Sequence, residues 1–197
     1  MKKRLKPILI IITVVVLVIL VLLVILIRNK IIINKIYDLE SKYKNSTNYQ
    51  FKETDEAIDP EFESREIVVS RNNDKMVIEE GNIKDEKTKT YIDYQNNIAY
   101  MFSEEQGKYI PIENYTIGDF SANAFLAEYV SKKIILSLYS IKPIYSENSN
   151  YVIKYDNSTY YINKNTFFIT KIEREDVITK IECKFDCVDS SIWDIEI

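Results

Sequence analysis

Fifteen tyrosines, 30 acidic residues and two cysteines are the groups in this 197-residue chain that could carry chemistry, and there is no histidine. Without histidine, nucleophile–base triads and most metal-hydrolase sites lose the member that moves the proton. Glycine occurs only at 81, 107 and 118, and there is no G-x-S-x-G, phosphate-cradling loop or dinucleotide fingerprint. Two carboxylates could in principle make a glycosidase, as at Glu79-Glu80 or Glu104-Glu105. Adjacent residues of a strand point to opposite faces, however, which divides each pair, so solvated charge is the expected role. Glu173-Arg174-Glu175-Asp176 reads as a hairpin tip, since calcium needs a denser oxygen cluster. We therefore assign no catalytic residue, cofactor or metal, and an enzyme acting on glycans or peptides ranks behind a binding protein.

Cys183 and Cys187 lie in the alternating stretch 181–187, which places both on the apolar face of one strand. Extended chain separates them by roughly 13 Å, beyond disulfide reach. Buried free thiols are expected, and zinc would need further soft ligands. The tyrosines Tyr91, Tyr100, Tyr109, Tyr151, Tyr155 and Tyr160 fall on strands, where aromatic side chains stabilise a sheet. Asn-x-Thr sequons at Asn45, Asn114 and Asn157 are read as chance in so asparagine-rich a chain.

The elements that must position these residues begin with an apolar run from Ile8 to Ile27, after Lys2, Lys3, Arg4 and Lys6 and before Arg28 and Lys30. Twenty helical residues span about 30 Å, a bilayer's hydrocarbon thickness. The run ends in Ile25, Leu26 and Ile27 and not in the small residues of a cleavage site, so it reads as a retained signal anchor. The basic flank predicts a single-pass plasma-membrane protein whose tail and anchor are residues 1–30, with the N-terminus cytoplasmic and residues 31–197 extracytoplasmic. That outer part carries 20 Lys and Arg against 30 Asp and Glu, a net charge of −10, which disfavours nucleic acid. Its length suffices for one domain with a real core. No proline or glycine lies between Pro7 and Pro60, so the anchor helix is expected to continue to about Lys44 without a flexible linker.

From residue 48 the signal changes to short strands, at 48–54, 66–71, 75–80, 89–94, 98–103 and 108–112. Their turns contain Asn72-Asn73-Asp74, Asn96-Asn97 and Glu105-Gln106-Gly107, with asparagine replacing the scarce glycine in left-handed conformations. Apolar residues at helical spacing predict a helix over 120–138. Strands resume at 151–155, 159–162, 167–174 and 179–188. The class is α+β, an N-terminal transmembrane helix followed by a large antiparallel sheet with helices on one face.

The hairpin Tyr160-Tyr161-Ile162-Asn163-Lys164-Asn165-Thr166-Phe167-Phe168-Ile169-Thr170-Lys171-Ile172-Glu173 is similar to the late hairpin of the LolA-like lipoprotein-carrier family. The stretch 90–101 resembles its central hairpin, and Val188-Asp189-Ser190-Ser191-Ile192 its exit from the last strand. The resemblance covers about 36–197. It implies a curved half-barrel whose concave face holds a lipid or a lipidated partner, with Ile98, Tyr100, Phe102, Phe167, Ile169 and Phe185 as the candidates to line it. A carrier is soluble, whereas this chain keeps its anchor from Ile8 to Ile27 and has no cysteine just after it for a lipobox. The expectation is thus a tethered, non-catalytic domain of a bacterial envelope that binds an apolar ligand, membrane lipid or lipoprotein, beside the membrane. The alternative is a regulatory or structural module that recognises an envelope protein partner through an exposed strand edge.

Overall fold

The computed structural model describes residues 2–44, 46–112, 144–155, 157–193 and 195. Helix α1, Lys2–Lys44, is unbroken, as the missing helix breakers require. Its stretch Pro7–Ile32 is long and apolar enough to cross a membrane, which fits a signal anchor or a signal sequence. Beyond it come β1 (Asn48–Ala57), β2 (Arg65–Asn72), β3 (Lys75–Asn82), β4 (Thr88–Asp93), β5 (Ile98–Ser103) and β6 (Lys108–Pro111). After the next described residue, Ile144, follow β7 (Tyr145–Glu147), β8 (Asn150–Tyr155), β9 (Ser158–Asn163), β10 (Ile169–Glu173) and β11 (Val177–Phe185). All eleven form one antiparallel sheet in the order β6-β5-β4-β3-β2-β1-β11-β10-β9-β8-β7, two meanders joined where the first and last strands pair.

Asparagine does take over the left-handed turn positions: Asn73, Asn97, Asn148 and Asn157 all have φ between 47° and 59°. The pairing register then sorts side chains onto two faces. Across the inner face run Cys183, Phe51, Val69, Ile78 and Thr90 in one row, and Phe185, Tyr49, Arg71, Met76, Ile92 and Ala99 in the next. Phe51, Val69, Met76 and Ile92 are fully buried there, and Ile32 of α1 belongs to the same apolar cluster. The outer face is charged at its centre, where Lys52 and Lys87 hold Glu66 and Lys89 pairs with Glu79 at 2.8 Å. Towards β6 it becomes aromatic. Trp193, just after a 3-10 turn at Ser190–Ile192, stands edge-on to Tyr91 at 5.5 Å and to Tyr100 at 6.2 Å.

Three expectations need correction, and one strand was not foreseen. Among the described residues α1 is the one α-helix, so helices laid on one face of the sheet are not found there, and the helix expected at 120–138 lies outside the described residues. Strand β7 was not legible, being three exposed residues without alternation. The strand expected from 167 starts at Ile169, because Phe167 sits at φ 58° in a turn where Asn163 Oδ1 accepts the N–H groups of Asn165 and Thr166. Finally, Cys187 is exposed and not buried. The strand ends at Phe185, since Asp186 adopts φ 52° and Asn48 captures the departing chain through its own carbonyl and its Oδ1, which accept from Asp186 and Val188.

Candidate functional site

Strand β11 has two different seams. Towards β1 it stays in register from Val177 to Phe185. Towards β10 the register holds only for Ile178, Thr179 and Lys180, and β10 reaches β9 through an irregularity between Ile169 and Lys171. Past Lys180, five residues of β11 therefore have no register partner on that side. The short β10 follows from the Asn163 turn, which spends the residues up to Phe168 on a loop: Asn163 N–H donates to Phe168 O at 2.8 Å, and Phe167 N–H donates to Asn163 O at 2.7 Å.

The divergence leaves a groove of about 570 Å³ in the plane of the sheet. Asn163, Thr166, Phe168 and Thr170 form one wall, and Ile181, Cys183 and Phe185 with Glu182 and Lys184 form the other. Because side chains of both sheet faces line it, the groove is a slot between strands and not a cup on one face. Burial pushes the Cys183 thiol up to about 12, helped by the nearby Cys187, so it is a neutral apolar wall group at neutral pH. The adjoining inner-face phenol of Tyr49 is likewise raised by burial to about 12, against the pull of Arg71. Tyr161 is held up at about 12 chiefly by donating its hydroxyl proton to Glu173 at 2.7 Å. None of these groups is poised to exchange a proton near neutrality. Among the described residues no three acidic or thiol groups gather as metal ligands.

The slot lies beside the C-terminal part of α1. Lys35 of α1 sits 4.5 Å from the ring centre of Phe167, and Arg28 lies 5.7 Å from that of Tyr151. Both rings belong to the region of β8 and the turn that borders the slot, and they are 6.1 Å apart.

Of the six candidate lining residues, the structure gathers three. Phe185 lines the slot, Ile169 is buried in the core at the start of β10, and Phe167 is in the bordering turn. Ile98, Tyr100 and Phe102 lie on β5, near the opposite edge, and point to the outer face, where Tyr100 meets Trp193 and Phe102 meets Tyr109 at 5.3 Å. One surface does not hold all six. Asn163, Thr166, Phe168, Ile181 and Cys183 are slot residues that sequence reasoning did not place among the lining candidates. Alternation did put Ile181 and Cys183 with Phe185, but nothing local announces that β10 will leave β11. No protein-family model and no curated protein matches this chain.

Proposed function

We propose that this protein is a single-pass anchored, extracytoplasmic interaction domain that receives an extended peptide segment of an envelope partner by strand addition in the slot between β10 and β11. The single observation that carries this reading is the five-residue length of β11 beyond its last β10 partner, bordered by a groove of about 570 Å³. A strand edge presents backbone donors and acceptors that another strand satisfies and an acyl chain does not. Five residues extend about 16 Å, enough to fix register. Cys183 and Phe185 would meet one face of the guest and Glu182 and Lys184 the other. The basic flank before the anchor supports a cytoplasmic N-terminus, and the continuous helix to Lys44 keeps the slot close to the lipid.

A second reading keeps the apolar ligand. Phe168, Ile181 and Phe185 give the slot an apolar side near the membrane, and one antiparallel sheet with one apolar face supports the likeness to the lipoprotein-carrier half-barrel. The two are separated by panning a random linear peptide library against the full chain in nanodiscs. Strand addition predicts binders with alternating apolar residues that are lost on Cys183→Phe or Thr170→Arg, on opposite walls. No binder above empty nanodiscs, together with a lipid of fixed mass retained by the parent and lost from the same variants, transfers the slot to an apolar ligand.

A further inference from the structure

Near the end of the apolar run of α1, two cations of the helix and one from the turn after β9 meet two aromatic rings. Arg28 and Lys35 are seven residues apart and so lie on one side of the helix, with buried Asn29 and Ile32 between them pinning that side to the domain. Arg28 reaches Tyr151 and Lys35 reaches Phe167. Lys164, in the turn after β9, stands 5.8 Å from the centre of the same Tyr151 ring and donates to the Asn148 carbonyl. None of the three makes an ion pair with a carboxylate among the described residues.

Depth fixes what such a cluster meets. The apolar run ends at Ile27, and the headgroup layer beyond the hydrocarbon is about 5–8 Å thick. Arg28 therefore stands at its inner boundary, and Lys35, about 10 Å further along the axis of an upright helix, just past its outer one, where its long side chain reaches back to the headgroups. Tyr151 and Phe167 touch these residues, and Lys164 touches Tyr151, so with α1 in the bilayer this corner of the sheet lies at headgroup level. Aromatic rings are favoured at that depth, and a guanidinium stacked on a ring keeps its outward N–H donors for a planar anion. Beside residues 31–197, whose net charge is −10, these three cations make a local positive patch complementary to negative charge at that level.

We propose that Arg28, Lys35 and Lys164, gathered round Tyr151 and Phe167, form a site for the phosphate of an anionic phospholipid headgroup. It rests on α1 remaining in the bilayer as an anchor. Bound lipid bridges α1 to the turn that borders the slot and so fixes how the slot faces the membrane.

The test uses the full chain in nanodiscs carrying trace lipid with a photoactivatable headgroup, either phosphatidylglycerol or phosphatidylcholine, with adducts mapped by peptide mass spectrometry. Site mapping separates this cluster from the basic tail at Lys2–Arg4, which also attracts anionic lipid. Adducts on the peptides containing Tyr151 and Phe167 are expected severalfold more often with the anionic probe, and to fall about fivefold for each cation removed in Arg28→Gln or Lys164→Gln. Equal labelling by both probes, or unchanged labelling in Arg28→Gln/Lys164→Gln, overturns the site. Loss of labelling to inorganic phosphate at matched ionic strength overturns the lipid as its source. Failure of the anchor reads differently: the chain then elutes apart from the nanodisc before any photolysis.

Discussion

The two seams of β11 differ although one strand makes both. On the β1 side Cys183 faces Phe51 and Phe185 faces Tyr49, in register to the end of the strand, and the side chains between them are among the most buried in the molecule. On the β10 side pairing stops at Lys180, and Cys183 and Phe185 line a groove. An apolar inner face is thus compatible with either a closed ladder or an open one. What decides is the neighbour: β1 is ten residues long, whereas β10 is five, its predecessors held in the turn built on Asn163.

The sharpest way to break that contrast is truncation. Phe51→Ala on the closed seam is expected to cost about 3–5 kcal/mol, because a fully buried ring leaves a cavity. Phe168→Ala on the slot wall is expected to cost about 1–2 kcal/mol, since part of its ring already meets solvent. Urea unfolding followed by the single Trp193 measures both, and equal losses would mean that the slot is as tightly packed as the core. Amide exchange comes next. Within 181–185, the N–H groups aimed at the slot should exchange about a hundredfold faster than those aimed at β1. Uniform protection along this stretch would show the edge already occupied, and addition of a selected peptide should then slow nothing.

Smaller effects sharpen the picture. Glu66, on the closed side, is held below its ordinary 4.5 by hydrogen bonds from Lys52 and Lys87. Its folded pKa is depressed, so its contribution is present above pH 4.5 and is lost as pH falls through the lower, folded value. Glu66→Gln should cost about 1–2 kcal/mol at neutral pH and almost nothing in strong acid; a cost that is the same at both ends would deny the two lysine partners their role. The smallest stability effect belongs to Cys187→Ser, within about 0.5 kcal/mol, because the side chain is exposed. The same pair of thiols reports accessibility. Maleimide should modify Cys187 and leave Cys183 largely untouched up to pH 9, well below the value of about 12 to which burial raises it; rapid double labelling would place Cys183 in solvent.

Much of the fold could be read locally. Unbroken helix from the apolar run to Lys44, ten of the eleven strands and the turns at Asn73 and Asn97 follow from hydrophobic period and from which residues tolerate positive φ. The separation of Glu79 from Glu80 follows from the pleat, and Glu79 does turn to the outer face to meet Lys89. The candidate site was half legible. Alternation correctly grouped Ile181, Cys183 and Phe185, but it could not assign Tyr100 and Phe102 to the face opposite Phe185, because parity within one strand says nothing about parity in another until the register is known. Cys187 was placed on the strand for a similar reason. The contacts that end β11, from Asp186 and Val188 to Asn48, come from a residue about 140 positions earlier.

By itself, then, the sequence determined the membrane-length helix, all the strands but β7 and the acidity of residues 31–197, since each depends on side-chain polarity and on interactions within a few residues. Only the tertiary structure decided that β1 and β11 close the sheet centre, that β10 leaves β11 after Lys180, and that Arg28, Lys35 and Lys164 meet at Tyr151 and Phe167. Those outcomes depend on which strands become neighbours and on where one ladder runs out. Long-range pairing sets both, through the summed burial of a whole face, and no local stretch of chain contains that sum.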